Sequence, residues 1–316
     1  MDVIDCLDLW SETEGGKAAL INHSENHTFL VEGRDGLRTV LRVHRPGYQS
    51  EATVGSELEW VEALRAEGRL PVPRPLPGRN GRLVQRIAVP AGDSTLGVLF
   101  AHEPGVEPRP EDDLAGLFET LGRFAALAHD QAARFRPSPG FTRQVWTAAS
   151  ILDGTGPWGD WRAAPGVEGP IAENLERLAR RLHADLAAYG QGPDRFGLIH
   201  ADMRLANLLV EGERVTLIDF DDCGFCWFMY DFAAAISFFE DSPQVPELRR
   251  RWLKGYTAVR PLATADIGIL DTMILLRRMA LLAFIGSHRE TDLAKAHAPD
   301  FASRTAALAG PYLATG

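Results

Sequence analysis

The chain has 316 residues and a formal net charge of −10 at pH 7, with 45% hydrophobic and 24% charged residues. That length supports a substantial core, in one large domain or two smaller lobes, with two lobes expected, and the composition excludes a disordered or fibrous chain. The acid excess argues against nucleic acid or an anionic membrane as partner, since both recruit basic surface, and it suits a cationic or small polar substrate. The opening "MDVIDCLDLW" has neither the basic nor the apolar region of a secretion signal, and Cys6, Cys223 and Cys226 are too few for a disulfide framework, so the cytoplasm is the expected compartment.

Residues 27–45, "HTFLVEGRDGLRTVLRVHR", hold two β-rich runs around a turn at Gly33 and Gly36, which predicts a hairpin. Over 51–67, Leu58, Val61 and Leu64 recur at helical spacing among charges, which predicts an amphipathic helix. The prolines of "LPVPRPLPGRNG" forbid helix and central strand alike. Two more strands are expected in "RLVQRIA" from 82 and "LGVLFAH" from 96. The order strand, strand, helix, strand, strand describes a small lobe over 1–103, ending near "EPGVEPRP". A larger lobe over 104–316 is mainly helical, with helices expected at 112–134, 170–189, 227–239, 246–257, 265–285 and 300–313. One hairpin interrupts them, "NLLVEG" and "RVTLIDF" joined through Glu211, Gly212 and Glu213. The apolar stretch "MILLRRMALLAFIG" (273–286) is broken by Arg277 and Arg278 and is too short to span a bilayer, which predicts a buried helix.

The second lobe concentrates polar chemistry just before that hairpin. "HADMRLAN" (200–207) sets Asp202 and Asn207 five apart with His200 two before the Asp, and Asp219 ends the second hairpin strand. A loop and a strand end of this kind bring carboxylate and amide oxygens around one small volume. Such oxygens suit Mg²⁺ carrying substrate phosphates, so Mg·ATP is the expected occupant. In phosphoryl transfer one carboxylate accepts or orients the proton of the attacking hydroxyl, and Asp202 has the place for it.

The spacing H-x-D-x-x-x-x-N followed by a strand-end Asp is the catalytic-loop pattern of kinases. On it the sequence resembles the aminoglycoside phosphotransferase and choline kinase family, relatives of the protein kinases, whose usual form is H-G-D-x-x-x-x-N followed by I-D-[FW]. Here the two stretches read "HADMRLAN" and "LIDFDD". "YDFAAA" (230–235) looks like the Asp-containing helix start that follows the metal Asp in that family. "SENHTFLV", "VLRVHRPG", "SELEWVEAL" and "IDFDDCGF" resemble a bacterial branch grouped with homoserine-kinase-like or stress-kinase-like phosphotransferases. The resemblance covers nearly the whole chain. It implies a two-lobed, protein-kinase-like α+β fold with a small antiparallel-sheet lobe, a larger helical lobe, and Mg·ATP in the cleft. It also implies transfer of the γ-phosphate to a hydroxyl of a small molecule; the acid excess, which offers carboxylates to an ammonium group, favours an amino alcohol, a hydroxy amino acid or an amino sugar or aminoglycoside as acceptor, and the fold does not select among them.

Carried over position by position, the resemblance makes Asp202 the catalytic base or hydroxyl-orienting group, Asn207 and Asp219 the Mg²⁺ ligands, and His200 a brace of the loop. Arg204, where protein kinases commonly carry a Lys, would contact the transferring phosphate. In the first lobe Val40 and Arg42 share a strand face. Val40 would touch the nucleotide, and Arg42 would stand in for the anchoring Lys, tied to Glu57 or, as the alternative, Glu59. The Arg is a departure from the family, as is the absence of G-x-G-x-x-G over the hairpin, where "NHSENHTF" offers Ser24 and Asn26 to phosphate. The backbone from Phe100 to His102 would pair with adenine.

Other features leave alternatives open. Asp221 and Asp222 extend the metal site, face a cationic substrate, or form a solvated pair. Asp231 is expected to cap its helix and brace the catalytic loop. Cys223 and Cys226 form a C-x-x-C without the second pair of a zinc site, which favours packing. Trp146, Trp158 and Trp161, in the Gly- and Pro-rich stretch 137–168, line the acceptor pocket or pin a long loop. His44, His102, His129 and His288 lack ligand spacing. Two other functions fit the chain less well: a protein Ser/Thr kinase of the stress-response type, and a nucleotide-binding regulator without turnover.

Overall fold

The computed structural model describes residues 4–23, 26–47, 49–88 and 94–315, and its chain divides into two compact units. The first comprises Met1–Val106, Arg136–Arg143 and Leu209–Asp221. Its elements are β1 (Lys17–His23), β2 (Asn26–Glu32), β3 (Arg38–His44), α1 (Glu51–Glu67), β4 (Pro75–Leu76), β5 (Val84–Ala88) and β6 (Ser94–Ala101). The strands run β1-β2-β3-β6-β4, with β5 also on β6, and every pair is antiparallel. Leu41 and Val43 of β3 join Trp10, Phe29, Val31 and Leu99 in one core. On the other face Leu96, Val98 and Phe100 of β6 pack with Val54 and Leu58 of α1. Arg42 stands opposite Val98 in register, so strand alternation aims it at α1.

α1 forms where the sequence predicts it because both ends are marked. Ser50 Oγ accepts the Thr53 N–H at 3.1 Å while Thr53 Oγ1 accepts the Ser50 N–H at 2.9 Å. The helix stops at Gly68, whose φ of +66° suits glycine. Burial of Val54, Leu58 and Leu64 contributes about 1.5–3 kcal/mol for each side chain.

The second unit comprises Glu107–Phe135, Gln144–Leu208 and Asp222–Gly316. It begins with α2 (Ala115–Arg134), β7 (Gln144–Val145), α3 (Ala148–Leu152), α4 (Gly169–Tyr189) and β8 (Phe196–Ile199). A hairpin follows, β9 (Leu208–Glu211) with β10 (Arg214–Leu217), which from Leu209 onward belongs to the first unit. The second unit resumes with β11 (Gly224–Trp227), α5 (Tyr230–Ala235), α6 (Val245–Thr257), α7 (Thr264–Gly268), α8 (Leu270–Ser287), α9 (Asp292–His297) and α10 (Phe301–Ala314). β11 lies between β7, which it pairs in parallel, and β8, which it pairs antiparallel. Because Ile199 pairs with Gly224, this small sheet fixes where the loop starting at His200 leaves β8.

α2 and α6 approach closely through reciprocal glycines. A Cβ on Gly122 would lie 1.9 Å from the Trp252 carbonyl oxygen, and one on Gly255 would lie 1.8 Å from that of Glu119. α8 is the buried helix expected over 273–286, and it carries Arg277 and Arg278 inside with its apolar residues. Among the described residues no helix is long and apolar enough to cross a membrane. The helix expected at 227–239 is shorter. Its first residue ends β11, and helix persists only over Tyr230–Ala235, since Phe238 adopts a φ of +76°. The expected helix 265–285 divides at Ile269 into α7 and α8.

Candidate active site

In the first unit the site is a buried polar cluster between β3 and α1. Arg42 Nη2 donates to both carboxylate oxygens of Glu57, at 2.8 and 2.7 Å, and Nη1 donates to Asp219 Oδ1 at 3.2 Å. Glu57 is therefore the partner of Arg42. Glu59 instead accepts the N–H and Oγ–H of Ser138, both at 2.7 Å. Burial alone would lower the Arg42 guanidinium's pKa, but Glu57, Asp221 and Asp219 outweigh it and hold it above its ordinary value. Burial raises Glu57 to about 6 against the pull of Arg42. The guanidinium also lies 5.3 Å from the Phe100 ring.

Asp219 is the exposed member, 43% accessible at its side chain, on a backbone with φ of +60°. Asp or Asn tolerates that conformation better than most residues. Asp221 is not part of a solvated pair. It is buried, Oδ2 accepts Asn26 Nδ2 at 2.9 Å, Oδ1 accepts Gln49 Nε2 at 3.4 Å, and its backbone carbonyl accepts Arg143 Nη2. Burial would raise its carboxyl, yet Arg42, the Asn26 bond and Arg143 together hold it below the usual range. Asn26 thus spends its amide on Asp221. Ser24 lies outside the described residues. Val40 is partly buried and pairs with Phe100 across β6. Phe100 and Ala101 sit inside the ladder, with the Ala101 N–H given to the Arg74 carbonyl at 2.8 Å, while His102 follows the end of β6.

In the second unit the loop after β8 is held from beneath by Asp231. That carboxylate, wholly buried, accepts the Ala201 N–H at 2.8 Å, the His200 N–H at 3.4 Å and a His129 ring nitrogen at 3.0 Å. Asp231 braces the loop as expected, but it does not cap α5, whose start shows no side-chain cap. Ala201 takes a φ of +65° where the resembled family has glycine. His200 is fully buried and accepts the Asp202 N–H on Nδ1 at 3.2 Å, which is a scaffold contact.

Asp202 gathers three cationic or amide donors. Oδ2 accepts Arg204 Nε at 3.0 Å and Asn207 Nδ2 at 2.6 Å, and Oδ1 accepts Arg277 Nη2 at 2.5 Å. Burial would raise this carboxyl, but Arg204 and Arg277 hold it below the usual carboxylate range, so it is ionised at neutral pH. Arg277 is the residue that sequence reasoning missed. The signal was present, since a paired Arg inside an apolar helix needs a buried acceptor, but its partner lies 75 positions away. Arg143, which donates Nη1 to the Thr53 carbonyl at 2.8 Å, was likewise passed over.

The remaining features are structural. Cys223 and Cys226 are buried, and burial raises the Cys226 thiol well above its ordinary value, the inert end of cysteine chemistry. Trp161 donates Nε1 to the Leu152 carbonyl at 2.9 Å and pins its loop. Trp158 packs on Trp146 and on Phe284 of α8 at centroid distances of 4.8 and 5.4 Å.

Residues 17–263 match the family model described as APH: Phosphotransferase enzyme family. Among solved structures, that of a microcompartment-associated aminopropanol kinase is 39% identical with a TM-score of 0.91, and the match covers 99% of this chain and 97% of that one. Amicoumacin kinase of Bacillus subtilis (strain 168) is 26% identical over 280 residues, 85% of this chain and 79% of the relative. The structure of an amicoumacin kinase with AMP-PNP, Ca²⁺ and Ami is 20% identical with a TM-score of 0.78, covers 96% of this chain and 91% of that one, and speaks for the fold. The α+β fold is shared with these kinases.

Proposed function

Since the chain belongs to the phosphotransferase enzyme family and its named relatives are kinases of small molecules, we propose that it transfers the γ-phosphate of Mg·ATP to the hydroxyl of a small amino alcohol, with an aminopropanol as the first candidate. The observation that carries this reading is Asp202: an ionised, buried carboxylate bonded to Arg204 and Asn207, with its backbone N–H on His200, in the spacing that phosphoryl transfer uses. The identity of 39% to an aminopropanol kinase along the whole chain supports the acceptor, and a net charge of −10 suits an ammonium-bearing one. Small-molecule acceptors among the relatives weigh against a protein acceptor and against a regulator without turnover.

In this account the first unit binds nucleotide and the second carries the catalytic loop and the acceptor. Arg42, fixed by Glu57, places positive charge for the α- and β-phosphates, with Val40 and the His102 backbone toward the base. Asp202 orients the acceptor hydroxyl. A carboxylate that is ionised before the reaction is free to take the hydroxyl proton as the new bond to phosphorus forms. Arg204, which donates Nε to Asp202, is the residue proposed to contact the transferring phosphate. Asn207 in the second unit and Asp219 in the first are the residues proposed as ligands of the divalent cation. Their donors are amide and carboxylate oxygens, which Mg²⁺ prefers, and commitment of the Asn207 amide nitrogen to Asp202 turns its oxygen to the other side. The cation, when bound, neutralises charge on the β- and γ-phosphate oxygens.

The test is ADP release with Mg·ATP over separate pools of amino alcohols, hydroxy amino acids, amino sugars and aminoglycosides, with the product identified by phosphorus NMR. Turnover of an amino alcohol to a phosphate monoester is expected. Turnover confined to another pool would move the acceptor there, and none in any pool would overturn the proposal.

A further inference from the structure

Arg277 lies in the middle of α8 with 2% of its surface accessible. A guanidinium buried in an apolar helix is costly unless its donors all find acceptors. Here Nη2 donates to Asp202 Oδ1 at 2.5 Å, Nη1 to the Ala201 carbonyl at 3.2 Å, and Nε to Ser237 Oγ at 3.0 Å. The rings of Trp158 and Tyr230 lie 5.4 and 5.8 Å from it. Arg277 therefore grips the carboxylate of Asp202 and the peptide just before it at once, with Ser237 fixing the plane of the fork.

The two oxygens of Asp202 are not equivalent. A carboxylate oxygen offers about two lone-pair directions. Oδ2 uses both, on Arg204 and Asn207. Oδ1 uses one, on Arg277. The direction left for an incoming hydroxyl is therefore on Oδ1, the oxygen that Arg277 holds.

We propose that Arg277 is a positioning residue for phosphoryl transfer: it fixes Asp202 Oδ1 so that its remaining lone pair meets the acceptor hydroxyl. The inference rests on the reading of Asp202 as the hydroxyl-orienting group. In the step it serves, the acceptor oxygen bonds to the γ-phosphorus and the bond to the β,γ-bridging oxygen breaks, its electrons leaving with ADP. The hydroxyl proton passes to Asp202 Oδ1. A side chain that fills the space without a donor lets the carboxylate turn about its Cβ, and a displacement of about 1 Å costs on the order of 100-fold in rate.

The experiment compares Arg277→Met and Arg277→Lys with wild type on whichever acceptor wild type phosphorylates, so failure of amino alcohols as acceptors counts against the proposed function and not against Arg277. For Arg277→Met, kcat is expected to fall roughly 100-fold while the KM for ATP stays within about twofold, and tens of millimolar guanidinium restore part of the loss. Lys reaches one of the three acceptors and is expected to fall between Met and wild type. In an Asp202→Asn background, Arg277→Met is expected to add less than about threefold, since the group it positions is gone. Should the Met variant not fold, the Lys variant and the same double-variant comparison carry the test. Overturning results are a kcat for Arg277→Met within about threefold of wild type, or a loss that guanidinium does not restore and that multiplies with the Asp202→Asn loss.

Discussion

Replacing Asp231 tests whether one buried carboxylate holds the catalytic loop. Its oxygens take three donors, the N–H groups of Ala201 and His200 and a ring nitrogen of His129, with no solvent access. Each buried polar group left without a partner costs about 1–3 kcal/mol, so Asp231→Ala, which strands the two backbone N–H groups and leaves one His129 ring nitrogen without a partner, is expected to cost roughly 3–9 kcal/mol. Asp231→Asn should cost far less. Its remaining oxygen keeps the Ala201 N–H, and His129 is able to exchange its donating nitrogen because the Tyr256 hydroxyl at 2.9 Å from Nδ1 either donates or accepts. Only the long His200 contact is lost, for about 1–2 kcal/mol. At about 2–4 °C for each kcal/mol, calorimetry should find the Ala variant melting on the order of 10 °C below wild type and the Asn variant a few degrees below. Equal losses in the two variants, or an Ala variant within about 1 kcal/mol of wild type, would refute the reasoning.

Three more outcomes follow from buried chemistry. Ala201→Gly relieves a left-handed backbone worth about 1–2 kcal/mol and adds unfolded-chain entropy worth about 0.4–1 kcal/mol, so urea denaturation should find it equal to or more stable than wild type; a clear loss would mean that the strain is absent. Arg42→Met strands the buried Glu57 carboxylate and should cost about 3–5 kcal/mol, whereas Arg42→Met with Glu57→Leu should recover at least half; a double variant no better than the single contradicts an ion pair as the cause. His44, buried near Arg42 and Arg143 and 3.8 Å from Asp221, has its pKa lowered from 6.5 to about 4 by burial first and then by Arg42. The folded state thus favours the neutral ring, so its stability contribution is whole above pH 6.5 and is lost toward pH 4, by up to about 3 kcal/mol. Glu57, raised from 4.5 to about 6, opposes this between those values, so the clean readout is His44→Phe, whose stability should fall less than that of wild type on acidification; parallel pH curves would sink the idea.

Much of this was legible because local signals agreed. The hairpin of β2 and β3, the capped helix α1 and the loop from His200 to Asn207 each have their residues adjacent in sequence, and periodicity or spacing exposes them. β1 went unread because it lies exposed, with Leu20 and Ile21 more than half accessible, so no buried alternation marks it. β7, β8 and β11 are two to four residues long and exist through pairing with distant partners, which single-segment patterns do not encode. The extent of the helix after Trp227 was misjudged because apolar residues continue to Phe239 while the backbone turns at Phe238. Arg277 read only as an interruption of an apolar run. Its meaning depends on Asp202, Ala201 and Ser237, brought to it by tertiary packing.

The most direct test of the account is single-turnover phosphorylation of the accepted amino alcohol by wild type and Asp202→Asn, with Mg·ATP affinity measured alongside. Loss of a general base of this kind is expected to reduce the rate by about 100- to 10,000-fold with nucleotide affinity nearly unchanged. A variant that transfers phosphate at close to the wild-type rate would contradict the role of Asp202 at the centre of the site.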